Sequence, residues 1–153
     1  MADTGGPHHV VWQEDSKPEV DEARQLLRQG NADGAIAILE PLTMEESDDY
    51  MLFELLGVAY AHKNNLDASV GAFQTAVHLN PAKPQTHYNL GMAMLRAGDM
   101  VGGHEALAQA LRVDPTYGKA REALGSLEKR TAAAAQASEA SAGGPPPAPS
   151  FGH

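Results

Sequence analysis

The sequence predicts an all-α fold assembled from stacked two-helix units. Residues recur at a fixed spacing of 34 along most of the chain. Within each period the apolar residues follow helical spacing. Ala, Gly, Leu, Glu and Asp dominate while aromatic residues make up only 5%. Such a composition suits close packing of helices better than an aromatic-rich sheet.

The repetition is clearest where V-H-L-N-P, ending at Pro81, is matched by A-L-R-V-D-P, ending at Pro115. In the same register Leu56 falls on Leu90, Gly57 on Gly91, Phe73 on Leu107 and Ala76 on Ala110. Leu79 on Val113 and Asn80 on Asp114 complete the match without a gap.

Residues 1–15 are expected to be flexible. The first unit, 16–49, is degenerate: Ala23 stands where Gly57 does, Leu26 for Tyr60, Gly30 for Asn64 and Gly98, Ala35 for Ser69 and Leu39 for Phe73. Pro41 is expected to shorten its second helix, and Ser47 occupies the Pro81 slot.

The second unit is 50–83. Ser47, Asp48 and Asp49 suit a helix start, where side-chain oxygens cap free N–H groups. Phe53, Leu56, Gly57 and Tyr60 form one stripe at i, i+3, i+4 and i+7. After H-K-N-N, a second helix places Leu66, Val70, Phe73, Ala76 and Val77 on a common side. Gly57 and Ala76 let two backbones approach. Pro81 ends this helix and Pro84 fits the first turn of the next.

The third unit, 84–117, repeats the plan with Leu90, Gly91, Leu107, Ala110 and Pro115. Residues 118–130 are expected to form a terminal capping helix, with Ala120, Ala123, Leu124 and Leu127 inward and Lys119, Arg121, Glu122, Glu128 and Lys129 in water. The Ala/Gly/Pro-rich tail, 131–153, is expected to be disordered. Its P-x-x-P at Pro146 to Pro149 reads as linker rather than SH3-type ligand.

A unit of 34 residues with Leu-Gly in its first helix, small residues and an aromatic in its second, and a closing proline resembles the tetratricopeptide repeat. Phe53, Leu56, Gly57, Tyr60, Ser69, Phe73, Ala76 and Pro81 carry the likeness. Departures in the next unit are His87 at the bulky first position, Met94 for the tyrosine and Gly103 for the usual alanine. The resemblance covers residues 16–130. It implies a right-handed α–α superhelix of about three repeats plus a cap, whose first helices line a concave groove.

The groove positions implied are Val20, Arg24, Arg28; Glu54, Val58, His62; Tyr88, Met92, Arg96; and Glu122, Ser126, Arg130. Arg28, His62, Arg96 and Arg130 then make a basic ladder. Two explanations stand: cations near helix C-termini favoured by the dipole, or an electropositive track for an acidic segment. Relatives that bind chaperone tails use a Lys, Asn, Asn, Lys, Arg carboxylate clamp. Its slots here are Glu54, Val58, Asn89, Lys119 and Ala123, of which only Asn89 and Lys119 agree. That clamp is not expected. The candidate peptide-binding residues are therefore Arg24, Arg28, Glu54, Val58, His62, Tyr88, Asn89, Met92, Arg96, Lys119 and Arg130.

Other chemistry finds little support. The net charge of −9 resides in residues 1–49, with 12 acidic and 3 basic residues, while the remainder is balanced. Nucleic acid, which needs a basic footprint, is not an expected partner. No cysteine occurs, so disulfides and thiolate chemistry are excluded. The seven histidines lack metal-ligand spacing, and no phosphate-loop, dinucleotide or nucleophile-elbow motif is present. No cofactor and no catalysis are expected. The start M-A-D-T-G-G-P-H-H lacks basic and apolar signal regions, and no apolar run reaches membrane-spanning length. The expectation is a soluble cytoplasmic adaptor or scaffold, monomeric or weakly homo-oligomeric, that binds a protein or peptide segment. The rival is a structural protein that self-associates through stacked units. Val10-Val11-Trp12 either caps the first unit or anchors a partner or a second copy of the chain.

Overall fold

The computed structural model describes residues 17–45 and 48–142. Among them lie seven helices: α1 (Pro18–Arg28), α2 (Ala32–Glu45), α3 (Tyr50–His62), α4 (Leu66–Leu79), α5 (Pro84–Arg96), α6 (Met100–Val113) and α7 (Gly118–Ala142). Helices α1/α2, α3/α4 and α5/α6 pair as helix–turn–helix units, and α7 covers the end of the last. The architecture is an all-α superhelical repeat array, with no strand among the described residues.

The 34-residue register returns as backbone geometry. Positive φ falls at Gly30 (80°), Asn64 (57°) and Gly98 (93°), the same position in three units. Each reverses the chain between paired helices, where a left-handed residue follows the first helix. Side-chain caps start the second helices: Asn31 accepts from Gly34 N–H at 2.9 Å and Asp99 from Gly102 N–H at 2.8 Å. Between units, Asn80 accepts from Ala82 N–H at 3.3 Å and Asp114 from Thr116 N–H at 2.9 Å. These side-chain turns lead into α5 and α7. The Thr116 hydroxyl and then its N–H hold the Asp114 carboxyl below its usual range.

Packing within the pairs depends on the two Leu-Gly helices. A Cβ on Gly57 would stand 2.6 Å from the Phe73 ring, and one on Gly91 would stand 2.9 Å from Leu107 Cγ. Phe73 and Leu107 thus fill the space these glycines vacate. Ser69, fully buried in the usual alanine slot, donates its hydroxyl to Gly57 O at 2.7 Å.

Several expectations are revised. Pro41 does not shorten α2, which has 14 residues like α4 and α6. It lies inside the helix on an exposed position, and the lost N–H bond and the crowding of the preceding turn by its ring do not end the helix, whose neighbouring Leu39 and Leu42 remain buried. The cap of α3 is Asp49, accepting from Met51 N–H at 2.9 Å; Ser47 lies outside the described residues. In α3 the deepest side chains are Leu52, Leu56 and Ala59, while Phe53 and Tyr60 are half-buried. A helix inside a stack is covered by the preceding unit as well as its own partner, so a single stripe understates its core face. Helix α7 continues to Ala142 instead of ending at Arg130, consistent with the strong helix preference of its alanine run. Val10-Val11-Trp12 and P-x-x-P fall outside the described residues.

Candidate functional site

A groove runs across the first helices of the second and third units and α7. Its upper part, about 240 Å³, is lined by Val58, Ala61 and His62 of α3, Phe73 of α4, and Asn89, Met92, Ala93 and Arg96 of α5. Its lower part, about 360 Å³, lies between α5 and α7. Tyr88, Met92 and Leu95 form one wall, and Lys119, Glu122, Ser126, Leu127 and Arg130 belong to the other. Met92 borders both parts, so they read as one channel with a methionine saddle.

The groove therefore unites Val58, His62, Tyr88, Asn89, Met92, Arg96, Lys119 and Arg130. Arg24 and Arg28 do not border either part: within α1, Arg24 pairs with Asp21 at 3.1 Å and Arg28 donates to Gln25 at 2.8 Å. Of the ladder, His62, Arg96 and Arg130 border the groove.

Glu54 has a different task. Its half-buried carboxylate meets Lys83 Nζ at 2.8 Å and accepts from the Thr86 hydroxyl. Thr86 is fully buried, and Lys83 also stands 5.2 Å from the Tyr50 ring centroid. The residues one period later are Tyr88 and Tyr117, whose rings are 5.9 Å apart and tilted by 57°. An ion pair in one unit thus becomes an aromatic pair in the next, at the same joint between units. Burial pushes the Tyr117 hydroxyl pKa up, with Tyr88 adding to it. Residues 29 apart that change together from unit to unit were the available sequence signal.

A second joint explains an apparent defect. His87, where a bulky apolar residue belongs, reaches Pro81 O through Nε2 at 2.7 Å and is 4% exposed. One period on, Arg121 donates to Pro115 O at 2.8 Å. Both side chains latch the carbonyl of the closing proline.

The cations differ in origin. His62 and Arg96 stand in the last turns of α3 and α5, and Arg96 also reaches Ala61 O and Asn64 Oδ1 at 3.4 and 3.3 Å. The dipole and these bonds account for them. Arg130 is twelve residues short of the end of α7, beyond the reach of that dipole. Among the described residues, neither Arg130 nor Lys119 has an ion pair or side-chain hydrogen bond.

The Leu-Gly helices, the closing prolines and the left-handed turns coincide with a family model for the tetratricopeptide repeat, matched over residues 20–85 and 64–117. The chain belongs to the tetratricopeptide repeat family. The structure is similar to MamA, with a TM-score of 0.72, 19% identity, and coverage of 80% of this chain and 74% of that one. It is similar to the first repeat domain of Spaghetti (RPAP3) bound to the HSP90 peptide SRMEEVD, with a TM-score of 0.71, 17% identity, and coverage of 74% and 90%. A further likeness is to an O-GlcNAc transferase mutant of Thermobaculum terrenum, with a TM-score of 0.65 and 24% identity. That match takes in 71% of this chain but only 21% of the transferase. No curated protein matches the chain by sequence. Tetratricopeptide repeat arrays present grooves by stacking first helices side by side, which is the placement found here.

No cluster of three or more His, Asp or Glu side chains that could hold a metal occurs among the described residues. None of the described helices is long and apolar enough to cross a membrane.

Proposed function

We infer that this protein is an interaction adaptor that holds an acidic peptide segment in the groove between α3, α5 and α7. The observation that carries this reading is Arg130 with Lys119: two cations on the groove wall that neither the helix dipole nor a neighbouring carboxylate explains. Met92, Tyr88 and Val58 supply apolar floor between charged edges, a combination suited to an extended chain with alternating acidic and apolar residues. The HSP90 peptide held by the Spaghetti domain is acidic at its end, which supports an acidic ligand. A carboxylate clamp is not part of the reading. Glu54 is committed to Lys83 and Thr86, and Val58 is apolar. An internal segment is the better fit.

The test uses a fluorescein-labelled peptide of alternating Glu and Leu, titrated by anisotropy at low salt against its Lys/Leu counterpart. The Glu form is expected to bind, and Lys119→Glu with Arg130→Glu is expected to weaken it by about tenfold or more. Rising salt should lower the affinity. Equal binding of both peptides, or unchanged affinity in the double variant, refutes the reading.

A further inference from the structure

Helix α7 carries the Leu-Gly pair of a first helix, but among the described residues no second helix pairs with it. A Cβ on Gly57 would run into Phe73, and one on Gly91 into Leu107. At Gly125, in the same register, a Cβ would meet nothing within 4 Å. Arg121, Leu124, Gly125 and Glu128 share one face at the spacing that Phe53, Leu56, Gly57 and Tyr60 use. Leu124 is half-buried against the core that also holds Leu107, and Arg121 and Glu128 are exposed. Among the described residues, the seat is open on the side where a partner helix would lie.

We propose that this seat is filled by α7 of a second copy of the chain, antiparallel to the first. In the second and third units the second helix runs antiparallel to the first and sets a large apolar side chain, Phe73 or Leu107, against its glycine. Helix α7 of a second copy can do the same with Leu124. Two-fold symmetry then makes the arrangement self-complementary: Leu124 of each copy enters the space over Gly125 of the other. Charge selects this occupant. The spacing that sets Leu124 opposite Gly125 of the second copy sets Arg121 opposite Glu128 of that copy, and Glu128 opposite its Arg121. Both ends of the seat thus gain an opposite charge, because Arg121 keeps N–H donors beyond the one it gives to Pro115 O. Lys119 and Arg130 lie towards the groove, and the pairing leaves them open to a peptide.

The experiment is sedimentation equilibrium of the full chain over micromolar to submillimolar concentration. A monomer–dimer equilibrium is expected. Gly125→Leu occupies the seat from its own helix and has room to do so in the monomer. It is expected to weaken the dimer by about tenfold or more while far-UV circular dichroism and thermal unfolding show an intact fold. Glu128→Arg places like charges together at both ends and should weaken the dimer by about threefold or more. Adding Arg121→Glu should restore it. A monomer throughout that range overturns the proposal, as does a dimer that Gly125→Leu leaves unchanged. A double charge exchange that stays as weak as the single variant overturns the antiparallel arrangement. Peptide affinity in the groove is a separate readout, and Gly125→Leu is expected to leave it unaltered.

Discussion

Replacing register-equivalent glycines by alanine separates two effects that usually travel together. At Gly57 the added methyl would stand 2.6 Å from a carbon of the Phe73 ring, against an ordinary carbon–carbon contact of about 3.5–4.0 Å. The ring or helix α4 must therefore retreat by roughly 1 Å. Phe73 is 3% exposed and bounded by Val58, Val70, Val77 and Leu90, so it has little room to turn. Overpacking of this kind costs about 1–3 kcal/mol. The change from glycine to alanine within a helix returns about 0.8–1.0 kcal/mol. At Gly125 only the second effect operates, because nothing lies within reach of the methyl. Gly57→Ala is expected to destabilise the chain by up to about 2 kcal/mol, and Gly125→Ala to stabilise it by just under about 1 kcal/mol. The propensity gain cancels between the two variants, so their difference of about 1–3 kcal/mol reports the Phe73 contact alone. Urea unfolding followed by far-UV circular dichroism, at concentrations low enough to hold the monomer, supplies the comparison. Equal stability of the two variants within about 0.5 kcal/mol would refute the argument that Gly57 sets the approach of α3 and α4.

Glu54→Ala removes the acceptor of the buried Thr86 hydroxyl together with the Lys83 ion pair. It should cost about 1–3 kcal/mol in urea unfolding, whereas Glu54→Gln, which keeps an acceptor, should cost clearly less. Tyr60 donates its hydroxyl to Glu40 of the preceding unit, and burial first, then Glu40, pushes its pKa up to about 12. An unfolded tyrosine ionises near pH 10, so between these values the unfolded chain releases a proton that the folded chain retains. Stability contributed by Tyr60 is present below pH 10 and is lost as pH rises towards 12. Tyr60→Phe should show a flatter decline in thermal stability over that alkaline window, and an unchanged slope would argue against the Glu40 contact.

Much of the fold was legible because a repeat states its rules several times. Asn64 taken alone looks like any polar loop residue. Aligned with Gly30 and Gly98, it marks a turn position, and all three have positive φ. The groove was legible in part, since His62, Met92 and Arg96 follow from which helix face is left uncovered. Glu54 was not. Its position on the uncovered face suggested a ligand contact, but Lys83 and Thr86 approach it from the following unit. The proline latch made by His87 was hidden for the same reason: it crosses from one unit to the carbonyl that closes another.

The sequence by itself determined the helix–turn–helix units, their boundaries near Pro81 and Pro115, and the glycines at which helices touch. These depend on local preferences and on a spacing written along one dimension. Only the tertiary structure decided which polar side chains are used up at joints between units and which stay available. It also decided that Gly125, identical in register to Gly57 and Gly91, faces open space. A residue type shows what a position can accept. Whether the position is occupied depends on a neighbour about twelve or more residues away in the chain, brought there only when the units stack.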